Sequence, residues 1–338
     1  MVKNTDLNLD NIFKILNPKQ VRVLKDRYGL LGKRKTLQEI GDGLGITRER
    51  VRQIENQSLK KVKNSISSEF ALMISSAKQY LESQNGVEED EKFVKEIATL
   101  ASVNPVNKNW REKIRFVFFA AGTPFYFDEN QDFKSFWYLS ENAKTQFLSF
   151  VDKTMRTFES TDKNKIIGDQ NFISKIKSVP EYNLLFVSKK FSLNTFGDIG
   201  LISWSEINPK NVRDKAYLAL KKENGPMHFR DIAKKIIKSN ISSKKVNVQT
   251  VHNELIKDNR FVLVGRGVYA LKENGYEPGT VKDVIASLIK TKGPLNSEDV
   301  VKLVNEKRIL KENTILLNLQ NRKHFRRLND GKYSLHEA

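Results

Sequence analysis

Arginine, glutamate and glutamine side chains follow one another at helical spacing between residues 48 and 53. Glu49, Arg52 and Gln53 share one face, and Arg48 precedes them. In the major groove of DNA, arginine pairs with guanine, glutamine pairs with adenine, and glutamate accepts a hydrogen bond from the amino group of cytosine. The same residues would also suit a solvated helix face held by pairs of arginine and glutamate. The glycines that precede this stretch favour the first interpretation.

Two predicted helices separated by a glycine-rich turn must hold these side chains. The first helix begins at Thr36, which has the spacing of a capping box with Glu39. Gly43 and Gly45 then permit a tight turn, and Thr47 caps the second helix. The apolar spacing of the second helix predicts an inner face of Val51, Ile54, Ser58 and Val62. A helix, a turn and a helix whose polar face begins at its N-terminus form the layout of a helix-turn-helix.

A long motif connects these elements to a known family. It reads Thr36-Leu-Gln-Glu-Ile-Gly, then Gly45-Ile-Thr-Arg-Glu-Arg-Val-Arg-Gln-Ile-Glu55, then Leu59-Lys-Lys-Val62. Residues 10–65 resemble region 4 of the housekeeping-type bacterial sigma factors, which reads the upstream promoter hexamer and rests on the flap of the RNA polymerase β subunit. By that resemblance, the base-reading residues are Arg48, Glu49, Arg52 and Gln53. The flanking side chains predicted to contact DNA phosphates are Thr36, Arg50, Lys60 and Lys61.

The resemblance does not extend to a complete sigma factor. The module begins at about residue 10, and a complete sigma factor carries a strand-melting helix and a polymerase clamp contact upstream of region 4. We therefore expect that this chain does not open promoters by itself.

The positive charge of the chain is concentrated at its two ends. Lysine and arginine total 59 against 40 aspartate and glutamate residues, which gives a formal net charge of +19. Residues 1–68 carry 15 basic and 7 acidic side chains (+8), residues 69–210 carry 18 and 19 (−1), and residues 211–338 carry 26 and 14 (+12). A protein that is basic only through solvated lysine faces would spread this excess more evenly. The distribution favours two anion-binding modules joined by a neutral middle.

Residue types needed for several chemistries are missing or scarce. Cysteine is absent, which excludes disulfides, thiolate metal sites and thiol catalysis. The four histidines are scattered through the last third without a second ligand at metal spacing, so surface roles are favoured. The sequence also lacks a catalytic constellation, a cofactor fingerprint, a membrane-length apolar run and an N-terminal signal core. We therefore predict a cytoplasmic protein that is not an enzyme and that holds no cofactor or metal.

Two stretches of the last third align with each other. Gly225-Pro-Met-His-Phe-Arg-Asp231 recurs as Gly293-Pro-Leu-Asn-Ser-Glu-Asp299. Further matching positions are Thr250 with Thr314 and Gly267 with Gly331. Each copy reads as three helices followed by two short strands around a glycine turn, which predicts a winged helix. Both copies resemble the HARE-type winged helix-turn-helix, a module also similar to the N-terminal domain of the RNA polymerase δ subunit.

The two copies carry different side chains on their candidate binding surfaces. In copy one, the candidate nucleic-acid contacts are His252, Asn253 and Lys257 on the third helix and Arg266 at the wing tip. In copy two, the third helix is more apolar and is followed by the candidate contacts Arg322 and Lys323. We expect copy one to contact nucleic acid, and copy two either to hold phosphates without sequence preference or to dock a partner. For Arg266, an exposed loop arginine without a role is an equally good interpretation.

The middle of the chain is rich in aromatic residues and has no charge bias. The aromatic run between residues 116 and 138 is predicted to pack in a core, because the local charge is too negative for bases to stack along a phosphate track. Residues 200–209 are interpreted as a short connector. The predicted fold is mainly α, a helix-turn-helix followed by an array of winged helices. The predicted domains are 1–68 (helix-turn-helix), 69–140 and 141–210 (diverged winged helices, the second with the connector), 211–276 (copy one) and 277–338 (copy two).

These patterns predict a sequence-specific DNA-binding transcription regulator. Its predicted partners are double-stranded DNA and the β flap of RNA polymerase, with no membrane. Two alternatives fit the same residues: an RNA polymerase accessory protein similar to the δ subunit, and the recognition subunit of a DNA modification or restriction system. Co-purification with polymerase in the absence of DNA would favour the accessory protein, whereas sequence-selective binding by the isolated chain would count against it.

Overall fold

Helices separated by short antiparallel strands form most of the chain, which confirms the mainly α fold class. The computed structural model describes residues 7–104, 106, 108–167, 169–241 and 246–336. Residues 1–6, on which the expected absence of a signal core rests, lie outside this range. Among the described helices, none is both long and apolar enough to cross a membrane. The chain forms two compact units, the first ending at Phe191 and the second beginning at Ser192.

Capping residues fix the helices of the N-terminal module. Its helices are α1 (Asp10–Phe13), α2 (Pro18–Tyr28), α3 (Leu37–Leu44) and α4 (Arg48–Glu69). Asn17 forms a capping box with Gln20 at the start of α2, and Gly29 ends α2 in the left-handed conformation, with φ 68°. The predicted capping box of Thr36 and Glu39 is present at the start of α3. The predicted inner face of α4 is also confirmed, and its buried members are Val51, Ile54, Ser58 and Val62.

The next segment folds as a winged helix. Its elements are α5 (Ala71–Ser83), β1 (Val87–Glu89), α6 (Asp90–Leu100), α7 (Trp110–Ala121), β2 (Phe125–Phe127) and β3 (Phe136–Tyr138). The strands are antiparallel in the order β1-β3-β2, so β2 and β3 form the wing hairpin. Phe116, Phe118 and Trp137 are fully buried, which confirms the predicted core role for these members of the aromatic run, whereas Phe125 is exposed. The buried indole N–H of Trp137 donates a hydrogen bond to Oδ1 of Asp90 at 2.7 Å, which satisfies the polar end of the ring.

One hydrophobic core joins the N-terminal module to this winged helix. Apolar residues of α1, α2 and α4 pack with those of α5, α6 and α7 in a single buried cluster. The ring centroid of Phe116 in α7 lies 5.8 Å from that of Phe13 and 5.3 Å from that of Tyr28. The guanidinium of Arg34 lies over the rings of Tyr28 and Phe119. The third helix of this winged helix is therefore turned against the helix-turn-helix, where it cannot enter a DNA groove.

A long helix and a short sheet follow. The elements are α8 (Glu141–Ser160), α9 (Lys163–Ile166), α10 (Gln170–Lys177), a 3-10 helix (Pro180–Val187), β4 (Phe191–Leu193) and β5 (Ile199–Leu201). β4 and β5 form a two-stranded sheet. The boundary between the two compact units falls at β4, inside the segment 141–210 that the sequence groups as one domain.

Two successive winged helices make up most of the second unit. Copy one contains α11 (Val212–Glu223), β6 (Met227–His228), α12 (Phe229–Lys238), α13 (Val248–Lys257), β7 (Phe261–Gly265) and β8 (Val268–Leu271). Copy two contains α14 (Val281–Lys292), α15 (Ser297–Lys307), α16 (Glu312–Leu319), β9 (Phe325–Arg327) and β10 (Tyr333–Leu335). The strand order of copy one, β6-β8-β7, matches that of the first winged helix. In copy two, a single bridge between Leu295 and Tyr333 takes the place of the first strand.

Residues 194–209, which include the predicted connector 200–209, are packed into the second unit. Ile207 is buried. The carboxylate of Asp198, which is 1% exposed, forms an ion pair with Nζ of Lys222 in α11 at 2.7 Å. The side-chain amide of Asn194 donates to the carbonyl oxygen of Glu206 at 3.0 Å. The sequence did not predict this packing, because a segment rich in Asn and Asp is typical of an exposed turn.

A buried arginine holds the segment that precedes α14, and a backbone hydrogen bond joins copy two to copy one. Arg308 is 3% exposed, and its Nη2 donates to the carbonyl oxygens of Glu277 at 2.5 Å and Gly279 at 3.4 Å. Burial lowers the pKa of the Arg308 guanidinium. The backbone N–H of Ile309 donates to the carbonyl oxygen of Val264 in β7 at 2.8 Å. Since β7 is an edge strand, this hydrogen bond covers part of an otherwise open sheet edge.

Candidate nucleic-acid interface

A close turn sets the direction of α4. Gly45 adopts φ 63°, and the backbone N–H of Ile46 donates to the carbonyl oxygen of Gly41 at 3.0 Å. The hydroxyl of Thr47 then accepts a hydrogen bond from the backbone N–H of Arg50 at 3.2 Å, so Thr47 caps α4 as predicted. The turn therefore fixes where the first turns of α4 point.

Gly41→Ala is expected to destabilise the protein by about 1–3 kcal/mol, as overpacking does. A Cβ at this buried position would lie 2.6 Å from the carbonyl oxygen of Ile46, so α4 would have to shift. Gly43→Ala is the matched control, because the nearest atom to its Cβ would be the Arg22 guanidinium at 3.8 Å. We expect Gly43→Ala to be neutral or stabilising, since alanine favours a helix over glycine. Urea unfolding of both variants measures the difference, and equal stabilities would contradict the role assigned to Gly41.

The four predicted base-reading side chains lie in the first two turns of α4. They are Arg48, Glu49, Arg52 and Gln53, and all four are exposed. Nε and Nη2 of Arg52 donate to the Glu49 carboxylate at 2.8 and 2.7 Å, which lowers the pKa of Glu49 and raises that of Arg52. Nη1 of Arg50 donates to Oε1 of Gln53 at 3.0 Å. Because these two pairs are exposed, they contribute little to stability. They keep the side chains at the surface, where the edge of a DNA base could take the place of one member of each pair.

The residues predicted to contact phosphates do not form one group. Thr36 caps α3 and lies in a pocket with Arg27, Gln38 and Arg48, at the N-terminal ends of α3 and α4. Arg50 is paired with the base-reading Gln53. Lys60 and Lys61 are exposed about 12 Å farther along α4 than Arg52, at 1.5 Å per residue. All four residues could contact phosphates only if one DNA strand ran along α4 over this distance.

Arg27 is a member of this pocket that the sequence did not single out. Its Nε lies 3.4 Å from Oε1 of Glu55, and the Tyr28 hydroxyl donates to the same oxygen at 2.9 Å. Desolvation by burial raises the pKa of Tyr28, and the charge of Glu55 adds to the shift. Glu55 therefore holds Arg27 at the mouth of a pocket that also contains Arg48. No local signal could have identified Arg27, because only the packing of α2 on α4 brings it there.

Arg27→Ala is expected to weaken duplex binding by a similar factor for every sequence, because a phosphate contact carries no base information. The slope of log affinity against log salt should fall by about 1. Lys19→Ala, an exposed change at the other end of α2, is the matched control and should alter both quantities less. Binding isotherms at several salt concentrations measure the effect. An unchanged salt slope in Arg27→Ala would remove Arg27 from the interface.

The second unit brings two predicted residues together and leaves the others apart. His252 and Arg266 line one pocket of copy one. Asn253 is exposed on α13 and accepts a hydrogen bond from Gln249 at 3.2 Å, and Lys257 is exposed at the end of the same helix. Arg322 and Lys323 lie in the exposed turn that follows α16 in copy two. In copy one, Arg266 lies in the turn between β7 and β8 and His252 lies on the third helix. The candidate contacts of copy two therefore occupy a different place in the winged helix.

The α3-turn-α4 arrangement, with exposed base-reading side chains at the start of α4, defines a helix-turn-helix of the DNA-binding class. Residues 12–64 match the family model described as Sigma-70, region 4. The similarity to RNA polymerase sigma factor sigB of Arabidopsis thaliana is 45% identity over 58 residues, which are 17% of this chain and 10% of that protein. RNA polymerase sigma factor SigA of Microcystis aeruginosa is 46% identical over 68 residues, 19% of this chain and 16% of that protein.

The relatives named here match about a fifth of this chain or less. RNA polymerase sigma factor RpoD of Helicobacter pylori, for example, is 38% identical over 66 residues, which are 19% of this chain and 10% of that protein. The chain thus spans between a tenth and a fifth of the length of these relatives. The matched family model ends at residue 64, so the resemblance of residues 211–338 to HARE-type winged helices stays a prediction.

Proposed function

We propose that this protein is a non-enzymatic, sequence-specific DNA-binding regulator of transcription that acts in the cytoplasm. Its sigma-like head inserts the start of α4 into the major groove, where Arg48, Glu49, Arg52 and Gln53 read bases. The observation that carries this proposal is the exposure of all four side chains beside a pocket that contains Arg27 and Arg48. Specific recognition of DNA has two components. One is a set of side chains that read bases, and the other is a neighbouring cationic pocket that holds phosphate.

Two features of the structure support this assignment over a purely structural role for the module. The apolar side of the second half of α4 is covered by α7 of the first winged helix, and the apolar sides of α3 and of the first half of α4 pack together on Val23 of α2. The polar side of α4 carries no such cover among the described residues of the first unit, since its side chains are exposed. The head therefore offers its polar face to a partner, which suits a charged ligand such as DNA.

The test of the proposed function is selection of bound sequences from random duplex DNA at a fixed salt concentration. We expect enrichment of one short motif, because the side chains at the start of α4 discriminate between base pairs. Salt must be stated, since nonspecific binding by a basic protein falls steeply as salt rises. Enrichment of no motif by the full chain, either alone or with polymerase, would contradict the proposal.

The relatives are named RNA polymerase sigma factors, which supports RNA polymerase as a second partner. We propose that the head docks the polymerase while it holds DNA. The same selection repeated in the presence of polymerase tests this: a motif enriched only with polymerase supports a joint complex. Failure of the protein to co-purify with polymerase, with or without DNA, would contradict this part of the proposal.

A further inference from the structure

A concave, positively charged pocket lies on copy one, between the start of α12, the middle of α13 and the turn that joins β7 to β8. Its lining consists of His228, Phe229, Arg230, His252, Arg266 and Gly267, without a carboxylate. Within the described part of the chain, His252 and Arg266 have no hydrogen-bond or ion-pair partner. The pocket therefore combines two guanidinium groups and two imidazoles with no internal neutralising charge.

Three rings in mutual contact form one wall of the pocket. The ring centroid of Phe229 lies 4.5 Å from that of His228 and 4.3 Å from that of His252, with interplanar angles of 33° and 28°. Phe229 thus packs against both imidazoles, and the guanidinium of Arg230 lies over its ring, so neighbouring side chains already occupy the ring. The pocket is built to recognise charge through hydrogen-bond donors, rather than a base through stacking.

The backbone orients His228 as a donor. Nδ1 of His228 accepts a hydrogen bond from the backbone N–H of Arg230 at 3.3 Å, which assigns the ring proton to Nε2 in the neutral tautomer. Gly267 adopts φ 70°, and a Cβ there would lie 2.7 Å from Nε2 of His228. Glycine therefore keeps the space beside this nitrogen open.

We propose that this pocket binds a phosphate group of a nucleic-acid strand, an inference that rests on the proposed DNA-binding function and assigns it a second contact. Arginine matches phosphate geometry with paired donors, and His228 and His252 add further donors at the same place. The exposed side chains of Gln249, Asn253 and Lys257 continue from the pocket along α13, so a strand held there has polar contacts beyond the phosphate.

The repeat within the chain shows that the pocket is not a general property of the fold. At the positions that align with the pocket, copy two carries Asn296, Ser297, Glu298, Leu316 and Asp330. Both arginines of the pocket are thus replaced by acids, although Asn296 caps α15 as His228 caps α12. The first winged helix likewise begins its second helix with Asp90 and Glu91. The phosphate site therefore belongs to copy one.

The first test gives copy one the residues of copy two in the full chain. Arg266→Asp and Arg230→Glu are expected to weaken binding of labelled random-sequence duplex roughly tenfold each and to lower the salt slope by about 1 per lost contact. Arg156→Glu, on the exposed surface of α8, is the control with a matched change of charge and should have a smaller effect. Arg266→Asp binding as tightly as Arg156→Glu would overturn the proposal.

The second test locates the ligand. On titration with inorganic phosphate, the imidazole NMR signals of His228 and His252 should shift, and the shift should be smaller in Arg266→Asp. His324, which lies in copy two, is the internal control and should shift less. Equal shifts of all three histidines, or a larger shift with an acidic peptide than with duplex DNA, would overturn the assignment to a nucleic-acid phosphate.

The outcomes separate this inference from the proposed function. If sequence selection fails but Arg266→Asp still weakens binding to random duplex, the phosphate pocket stands and the sequence-specific head is wrong. If selection succeeds and Arg266→Asp binds duplex normally, the head stands and the pocket is wrong.

Discussion

Arg52→Ala is expected to weaken binding to the selected duplex by about 1–3 kcal/mol and to relax the base preference at one position. Arg52 is exposed in the second turn of α4, and two hydrogen bonds to Glu49 already orient its guanidinium in the unbound protein. Truncation therefore removes a donor pair without leaving a cavity. Competition binding against the selected duplex and its single-base variants measures both effects.

Lys60→Ala is the matched control for Arg52→Ala. Lys60 is exposed on α4 but lies beyond the turns that carry the base-reading side chains. We expect it to weaken all sequences alike and to lower the salt slope by about 1. An Arg52→Ala variant that retains the full base preference would show that Arg52 does not read DNA.

Phe116→Ala is expected to destabilise the first unit by about 3–5 kcal/mol, the usual cost of truncating a buried phenylalanine. The ring is fully buried and contacts Phe13 and Tyr28 of the N-terminal module as well as its own winged helix. Because one core serves both modules, the two should lose stability together. Hydrogen exchange of α2, α4, α6 and α7 in native conditions measures this, with parallel losses of protection expected.

Phe125→Ala is the control for the loss of an aromatic ring. Phe125 is 43% exposed on β2, so its truncation should cost far less than that of Phe116. Faster exchange in α6 and α7 alone, with α2 and α4 unchanged in Phe116→Ala, would contradict a common core. Such a result would mean that the helix-turn-helix is stable without the winged helix.

Local signals predicted the helix-turn-helix closely. The capping roles of Thr36 and Thr47 and the turn at Gly45 depend on residues within a few positions of one another, so spacing alone reveals them. The same applies to the polar face of α4, since a helix repeats every 3.6 residues. Most of the aromatic run lies in or against a core as predicted, whereas Phe125 is exposed.

Patterns within a few residues did not predict the packing of residues that are distant in sequence. Asp198 and Asn194 have the composition of a turn, yet they are buried against Lys222 and Glu206. Arg27 and Arg48 belong to different helices, and no pattern links them before α2 packs on α4. His228 and Arg230 belong to the repeated motif and were not among the candidate contacts, although they share a pocket with Arg266.

The sequence by itself determined which face of α4 is polar, where the basic charge is concentrated and which segments repeat. These properties depend on residue type and on spacing within single helices and hairpins. Only the tertiary structure decided that α7 packs on α4 and that His228 and Arg230 share a pocket with Arg266. The physical reason is that apolar burial is not directional: an apolar helix face has the same spacing whatever covers it, so the covering element and the charges gathered around it emerge only when the faces meet.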